Sequence, residues 1–562
     1  MYIDYNRKDC APEETIKKIK KILKKNKISI NTSKTKNINN NIFSTRVELK
    51  NIHGIGTNGK GITKKYAEAS AYAEFMERLQ SKNLIKDKFL CKEYKEIYND
   101  EEKLEYEKFI ELYPEILNNN NLKKLIENRE EYRKITQFYD LLNKQKIDLP
   151  IKIINITTHS NGLCAGNSKQ EALVQGICEI LERFAYKEFM YKKIKIQTIN
   201  IKNINNMEIF NQLNSIEKIG LKYKLKDFSI GGLFPVVGII IYDELKQNYL
   251  FSIGSDPNFD IAVQRCITEI FQGLTVEELR KKMQPVNNNF EKLEKEIGKD
   301  FIKYNWLKSY TSNSGIHPQE LFTTNKEVDI EELPFRKVYN NIDALNYLLK
   351  ILSENNYKVY CKNYSFLGFD TYKVFIPNMS EVDDVDDLRL NIFLNENKLN
   401  KIYFDSFAEM DKETEKLFIN LSNSIIYNKL NLPYNVFGVN NYISNSYVQL
   451  NFMYLTIVKL ALYKKYDEIK RIIKYKIQEE NLNTYEKEYL SCMVDTINNK
   501  NLNKYSNDVK KEIKIFLFDT RKLIEKLHAP ICPNCNKCFS KKTCKLNDWK
   551  KINRILHEKN TM

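Results

Sequence analysis

Residues 67–78 read AEASAYAEFMER and residues 172–183 read ALVQGICEILER. Ala67, Glu74, Glu77 and Arg78 recur as Ala172, Glu179, Glu182 and Arg183, at a constant offset of 105 residues. A weaker third copy, AVQRCITEIFQG at 262–273, keeps Ala262 and Glu269 at the same step and carries Gln272 in place of the second acid. Glycine also recurs upstream: Gly61 and Gly166 stand six residues before the alanine, Gly59 and Gly254 eight before it. Self-similarity at fixed spacing marks related supersecondary units, so three Gly-turn and helix units are expected.

A spacing of i, i+3 puts Glu74 beside Glu77, and Glu179 beside Glu182, on one helix face, where like charges repel by a few tenths of a kcal/mol. Phe75, Met76 and Leu79 flank the first pair and Ile177, Ile180, Leu181 and Phe184 the second, so both helices are expected to be largely buried. Buried carboxylates are costly unless paired with Arg or a metal. If the three helices converge, five carboxylates (Glu74, Glu77, Glu179, Glu182 and Glu269) and one amide surround one hole. That oxygen-rich set suits Mg²⁺ with bound phosphates better than zinc. One ExxER alone reads as a solvated helix with surface ion pairs; its repetition argues for a shared site. The NGKG at 58–61 lacks the spacing of a Walker loop, and no GxGxxG stands before a helix. With five His in the chain, no Ser–His–Asp arrangement is legible.

Outward from these motifs, 562 residues with 42% hydrophobic and 12% aromatic content imply a globular chain with several cores. The net charge of +17 is spread along Lys- and Asn-rich text, which leaves nucleic-acid or ribosome contact open without arguing for it. The polar start and a longest apolar run of Leu233–Tyr242 give neither a signal peptide nor a membrane span. A cytoplasmic protein with reduced thiols is expected. A helix is expected at Pro12–Lys25 and strands near Ile42–Leu49, Lys222–Asp227, Val236–Tyr242 and, as a pair, within Tyr357–Ile376. Residues 1–52 are read as a helix and strand contributing to the core. Residues 53–425 are read as the main domain, with a helical insertion at about 80–150 and a strand, Gly turn and helix from Ile151. Residues 426–562 are read as a helical C-terminal domain.

NGKGITKKYAEASAYAEFMERL (58–79), SNGLCAGNSKQEALVQGICEILERF (160–184) and DPNFDIAVQRCITEIFQG (256–273) resemble, in order and spacing, the YcaO family of ATP-dependent peptide-backbone modifying proteins. VYCKNYSFLGFDTYKVFIPNMSEV (359–382) is similar to the family's closing strands, and the likeness runs over about residues 1–425. The resemblance implies an α+β, YcaO-type ATP-binding core of mixed sheets. It implies ATP with magnesium held by Glu74, Glu77, Glu179, Glu182 and Glu269, of which Glu77, Glu182 and Glu269 are the candidate catalytic acids. Arg183 and Arg265 are then expected on phosphate and Asn167 and Glu171 in the nucleotide pocket. RKDCAPEET (7–15) adds Lys8 and Thr15, while Cys164 stands where the family often has Ser. Family chemistry activates an amide or carbonyl oxygen by phosphorylation, with magnesium and Arg neutralising charge. The helical C-terminal part and an end without the proline-rich tail of azoline-forming members look most like a stand-alone member. For that branch the resemblance implies help with methylthiolation of an aspartate on ribosomal protein twelve of the small subunit, beside a radical methylthiotransferase, by a homodimer. The alternatives are a non-catalytic nucleotide-controlled adaptor and an azoline-forming cyclodehydratase or thioamidation component.

Near the C-terminus, Cys532, Cys535, Cys538 and Cys544 form CPNCNKCFSKKTC. Four Cys within so short a loop are expected to bind a metal, either zinc or an iron–sulfur cluster; unliganded thiols are the other reading.

Overall fold

The computed structural model describes residues 7–382 apart from short gaps, the longest at 85–100, and beyond them chiefly 411–427, 452–479, 484–518 and 546–560. The cysteines at 532–544 lie outside the described residues. Helix α1 spans Pro12–Lys25, with Pro at its first turn where a missing N–H is harmless and Ile16, Ile19 and Leu23 buried on one face. A first antiparallel sheet follows: β1 (Ile30–Thr32), β2 (Lys36–Asn39), β3 (Ile42–Leu49) and β4 (Gly56–Gly61), with β3 pairing all the others. Helix α2, Lys64–Gln80, packs on β3 and β4.

The second sheet runs in the order β5 (Glu101–Lys103), β6 (Lys134–Asp140), β15 (Tyr360–Asn363), β16 (Asp370–Phe375) and β8 (Leu163–Gly166), with β7 (Gln145–Leu149) beside β6. The third runs β13 (Gln284–Pro285), β12 (Asn248–Ser255), β11 (Val236–Asp243), β10 (Lys222–Asp227), β9 (Thr198–Ile199) and β14 (Glu327–Val328). Helix α3, Lys169–Lys192, packs on β8 and β16 of the second sheet and on β12 of the third. Helix α4, Phe259–Ile270, packs on β11 and β12, and helix α5, Asn341–Glu354, packs on α3. The fold is thus mixed helix and sheet, as expected.

Each of the three sequence units is a strand running into a helix: β4 into α2, β8 into α3, β12 into α4. The recurring glycines have a steric reason. A Cβ on Gly61 or Gly166 would lie 2.6 or 2.8 Å from the backbone N of the alanine six residues on. On Gly59 or Gly254 it would lie 2.2 or 2.4 Å from the carbonyl oxygen of the alanine eight residues on. Real Cβ atoms do not approach backbone so closely, so glycine lets each helix lie directly on its strand. The expected Gly turn at 54–61 is therefore largely the strand β4. Side chains start the first two helices: Thr63 accepts from Tyr66 N at 3.2 Å and Ser168 from Glu171 N at 3.1 Å, each satisfying an orphan N–H.

Two local expectations are corrected. Ile151–Thr158 is a helix, not a strand; its β-branched run has Ile151 and Ile154 buried at helical spacing. Within 80–150 the short helices Tyr106–Leu112 and Asn120–Asn128 are joined by β5, β6 and β7, and β6 pairs with β15 as part of the second sheet. Beyond residue 411 the described elements are helices. One of them, Leu546–Asn560, returns to the first core, where Leu556 is buried with Ile16, Ile19, Tyr72 and Phe369.

Candidate nucleotide and metal site

α2, α3 and α4 turn their acidic faces onto one cavity of about 410 Å³, within the range of small-molecule sites. Glu74 and Glu77 from α2, Glu179 and Glu182 from α3, and Glu269 from α4 all line it. So do Lys8, Thr15, Asn167, Glu171, Arg183 and Arg265. Cys164 does not. Although β8 carries it, its side chain points under α3, where it touches the position of Gly176 and its thiol donates to Tyr372 O at 3.5 Å. Burial pushes that thiol well up, with Glu77 and Glu179 adding to the effect, so Cys164 is a core residue.

Every acid is met by a donor from another part of the fold or from its own helix. Glu182 Oε1 accepts from Arg265 Nε at 2.8 Å and from Ser255 N at 2.9 Å. Arg78 reaches Glu77 at 3.3 Å and Glu74 at 3.7 Å. Lys60 is ion-paired with Glu269, and Glu179 Oε1 accepts from Gly162 N at 3.3 Å. Burial lowers the Arg265 guanidinium, but the attraction of Glu182 wins and holds it above its ordinary value. Burial pushes the Glu77 carboxyl up to about 8 against the pull of Arg78, with Glu74 and Glu179 nearby raising it further, and it raises Glu74 as well. Lys60 is lowered to about 8 by burial and by Arg265. Beneath the belt, Lys373 is lowered to about 7 by burial, with Glu179 pulling the other way. It donates to His159 O at 2.9 Å and Asn161 O at 2.7 Å.

Among the described residues, no three acids, histidines or cysteines gather on one point tightly enough to hold an ion as they stand; cations are interleaved between them. Yet Glu77, pushed up chiefly by burial and further by Glu74 and Glu179, belongs to a set of hard carboxylate oxygens from three helices, which is chemistry that fits magnesium. Seven acids and six bases line the cavity. A bare triphosphate would enter a cavity with no net positive charge, whereas one carrying divalent cations would suit both signs.

At one end of the cavity the N-terminal segment is tied down. Arg7 forks onto Asp256 at 2.7 and 2.9 Å, and Asn341 of α5 donates to Arg7 O at 2.8 Å. Lys8 and Asp9 N reach Glu171 at 3.3 and 3.0 Å, while Thr15 Oγ1 donates to Asn167 Oδ1 at 2.9 Å. At the other end Tyr186, one turn along α3 from Glu182, lines the cavity with Ser309, His317 and Phe251. His317 is held between Tyr186 Oη on Nε2 and Tyr249 Oη, 2.7 Å from Nδ1, and burial lowers it to about 3. Sequence reasoning missed Arg7, Lys60, Asp256, Asn341 and this aromatic end. Arg7, Lys60 and Asp256 lay inside quoted motifs; no local pattern pointed to His317.

The chain belongs to the YcaO family: the family's model, described as a YcaO cyclodehydratase binding ATP and Mg²⁺, matches residues 58–380. An Escherichia coli K12 protein named ribosomal protein S12 methylthiotransferase accessory factor YcaO is 26% identical over 407 residues, which cover 68% of this chain and 67% of that protein. An uncharacterised protein of Haemophilus influenzae is 26% identical over 421 residues, 69% of this chain and 68% of its own length. A solved structure of YcaO from Methanopyrus kandleri, bound with AMPPCP and Mg²⁺, is 17% identical with a TM-score of 0.46, covering 68% of this chain and 96% of that one. A likeness of that size adds nothing to the family assignment. No helix among the described residues is long and apolar enough to cross a membrane.

Proposed function

We propose that this chain binds ATP with magnesium in the cavity and uses it to modify, or to help another enzyme modify, an amide or carboxyl group of a protein substrate. The observation that carries this reading is the convergence of the acidic faces of three repeated strand–helix units on one cavity. In it Glu74, Glu77, Glu179, Glu182 and Glu269 hold magnesium, and Arg183 and Arg265 meet phosphate. Lys8, Thr15, Asn167 and Glu171 bind the rest of the nucleotide. When bound, the nucleotide supplies a phosphoryl group that can turn a carbonyl oxygen into a leaving group. The chain's own part is to neutralise and orient: Arg265, fixed by Glu182, stays charged, and the packed helix faces keep water from Glu77 and Glu182.

The 26% identity to the accessory factor of Escherichia coli supports assistance to methylthiolation of ribosomal protein S12 as the particular task, with a radical methylthiotransferase as partner, in the cytoplasm and as a homodimer. That relative's name also favours a second reading, an adaptor whose nucleotide only sets the shape of a docking surface. Phosphate release measured with and without the ribosomal protein and the partner enzyme separates the two. Turnover that collapses in Glu77→Ala or Glu182→Ala while the fold survives supports the enzyme. Tight magnesium-dependent binding with no release, even with both partners, supports the adaptor. Binding that ignores magnesium sinks both.

A further inference from the structure

The NGKG stretch at 58–61 is still without a role, since its spacing is not that of a Walker loop. On β4 it alternates. Thr57, Gly59 and Gly61 are buried, and a Cβ on Gly59 would lie 2.1 Å from Ala71 N on α2. The side chains of the intervening Asn58 and Lys60 reach the cavity, as the period of two in a strand requires. The glycines therefore seat the strand against its helix, and the lysine is what the strand delivers to the site.

Lys60 stands in the middle of the charged belt. Its ammonium is ion-paired with Glu269 of α4, and Arg265, Glu182, Glu74 and Arg183 are the other charges close enough to act on it. A plain staple between the first and third units is the simplest role for this pair. Lysine suits that role poorly, because its long flexible stem loses entropy when pinned and its compact charge makes no fork. The same properties suit a point charge that changes partner. Glu269 is among the five acids assigned to magnesium above. Once a divalent cation takes its oxygens, the ammonium needs another anion, and phosphate arrives with the metal.

Which phosphate follows from the layout of α3. At the Glu171 end Lys8 is already answered by Glu171 at 3.3 Å, and the hydroxyl of Thr15 and amide of Asn167 beside it suit a base or ribose. Glu182 is eleven residues further, about 16 Å along the helix axis. Lys60, Arg183 and Arg265 gather at that far end, so a nucleotide seated this way brings its last phosphate to them.

We propose that Lys60 is a ligand of the outermost phosphate of a nucleoside triphosphate, exchanging Glu269 for it when magnesium binds. This rests on the nucleotide reading above. The test is calorimetric titration of the full chain, with magnesium, using ADP and a non-hydrolysable ATP analogue. Lys60→Met is expected to weaken the analogue about 20-fold or more and ADP by less than about threefold, while Lys60→Arg, which keeps the charge, holds the analogue within about fivefold. Equal weakening of both ligands in Lys60→Met, together with a lowered melting point, means a staple and overturns the inference. Should Lys60→Met fail to fold, Lys60→Arg decides it: loss of the analogue and of ADP alike is again the overturning result. Unchanged analogue binding in Lys60→Met overturns this inference alone. Absence of any magnesium-dependent nucleotide binding by the wild type overturns the functional reading and this inference with it.

Discussion

Glu77, buried, and Lys60, partly buried, lie in the acidic belt among charges of both signs, and each is pushed to about 8, toward its neutral form. Beside Tyr186, one turn along α3 from Glu182, His317 is as buried as Glu77, but both ring nitrogens have a tyrosine hydroxyl and no acid is among the causes of its shift. Phe251 and Tyr186 frame it at ring distances of 4.9 and 5.6 Å. The belt stores charge that a ligand can satisfy better than the protein does, whereas the aromatic end is satisfied already and holds a shape. Under the proposed function, a site that accepts a charged ligand is built beside one that does not rearrange.

The hardest way to break this contrast is Glu182→Gln. Glu182 holds Arg265 and Ser255 N. The variant is expected to lose nucleotide affinity with magnesium at least about 100-fold and roughly 3 kcal/mol of stability, because a half-buried guanidinium loses its anion. Calorimetry and urea melts read the two effects; wild-type affinity would show that the belt is only structural.

At the aromatic end the expected effect is on stability and pH. The folded His317 titrates near 3, below the unfolded value of about 6.5. Its contribution is thus fully present above about pH 6.5 and is lost as pH falls toward 3, by up to about 1.4 kcal/mol per pH unit. His317→Gln is expected to flatten the urea midpoint between pH 6.5 and pH 5 while leaving nucleotide affinity within about threefold. A variant as acid-sensitive as the wild type would remove His317 as the cause.

Glu77→Gln sharpens the contrast with the opposite sign. The folded carboxyl titrates near 8 against about 4.3 unfolded, so the folded state holds a proton across that window and Glu77 subtracts stability as pH rises through it. The variant is expected to gain roughly 2 kcal/mol at pH 8 without nucleotide, and to bind nucleotide with magnesium more weakly. A loss of stability at pH 8 would mean that the Arg78 pair outweighs burial. The smallest effect belongs to Cys164→Ser: about 1 kcal/mol of stability from a buried hydroxyl, with no change in nucleotide affinity, because the side chain sits behind the cavity. A clear loss of affinity would return Cys164 to the site.

Much of the fold was legible. α1 and β3 fall where periodicity placed them, β10, β15 and β16 lie within the expected strand segments, and β11 runs one residue beyond its own, to Asp243. Ile151–Thr158 was misread because a short apolar, β-branched run is ambiguous between helix and strand. β6 and its hairpin partner β7 were missed because they are short and stand in charged text read as helical, and the strand that ties them into the sheet, β15, lies more than two hundred residues away. In the site, the acids showed through repetition. Lys60, Arg7 and His317 occur once each in their settings, with nothing local to separate them from the other cations and polar residues of the chain.

The sequence by itself determined the three repeated glycine and helix units and the acid spacing that puts each pair on one face, since these are rules acting within a few residues. Only the tertiary structure decided that the faces meet, that Lys60 answers Glu269 and Arg265 answers Glu182, and that Cys164 turns away. Those outcomes depend on how separate sheets pack against α3, and the energy of a buried charge is set by which neighbours that packing brings, not by its place in the chain.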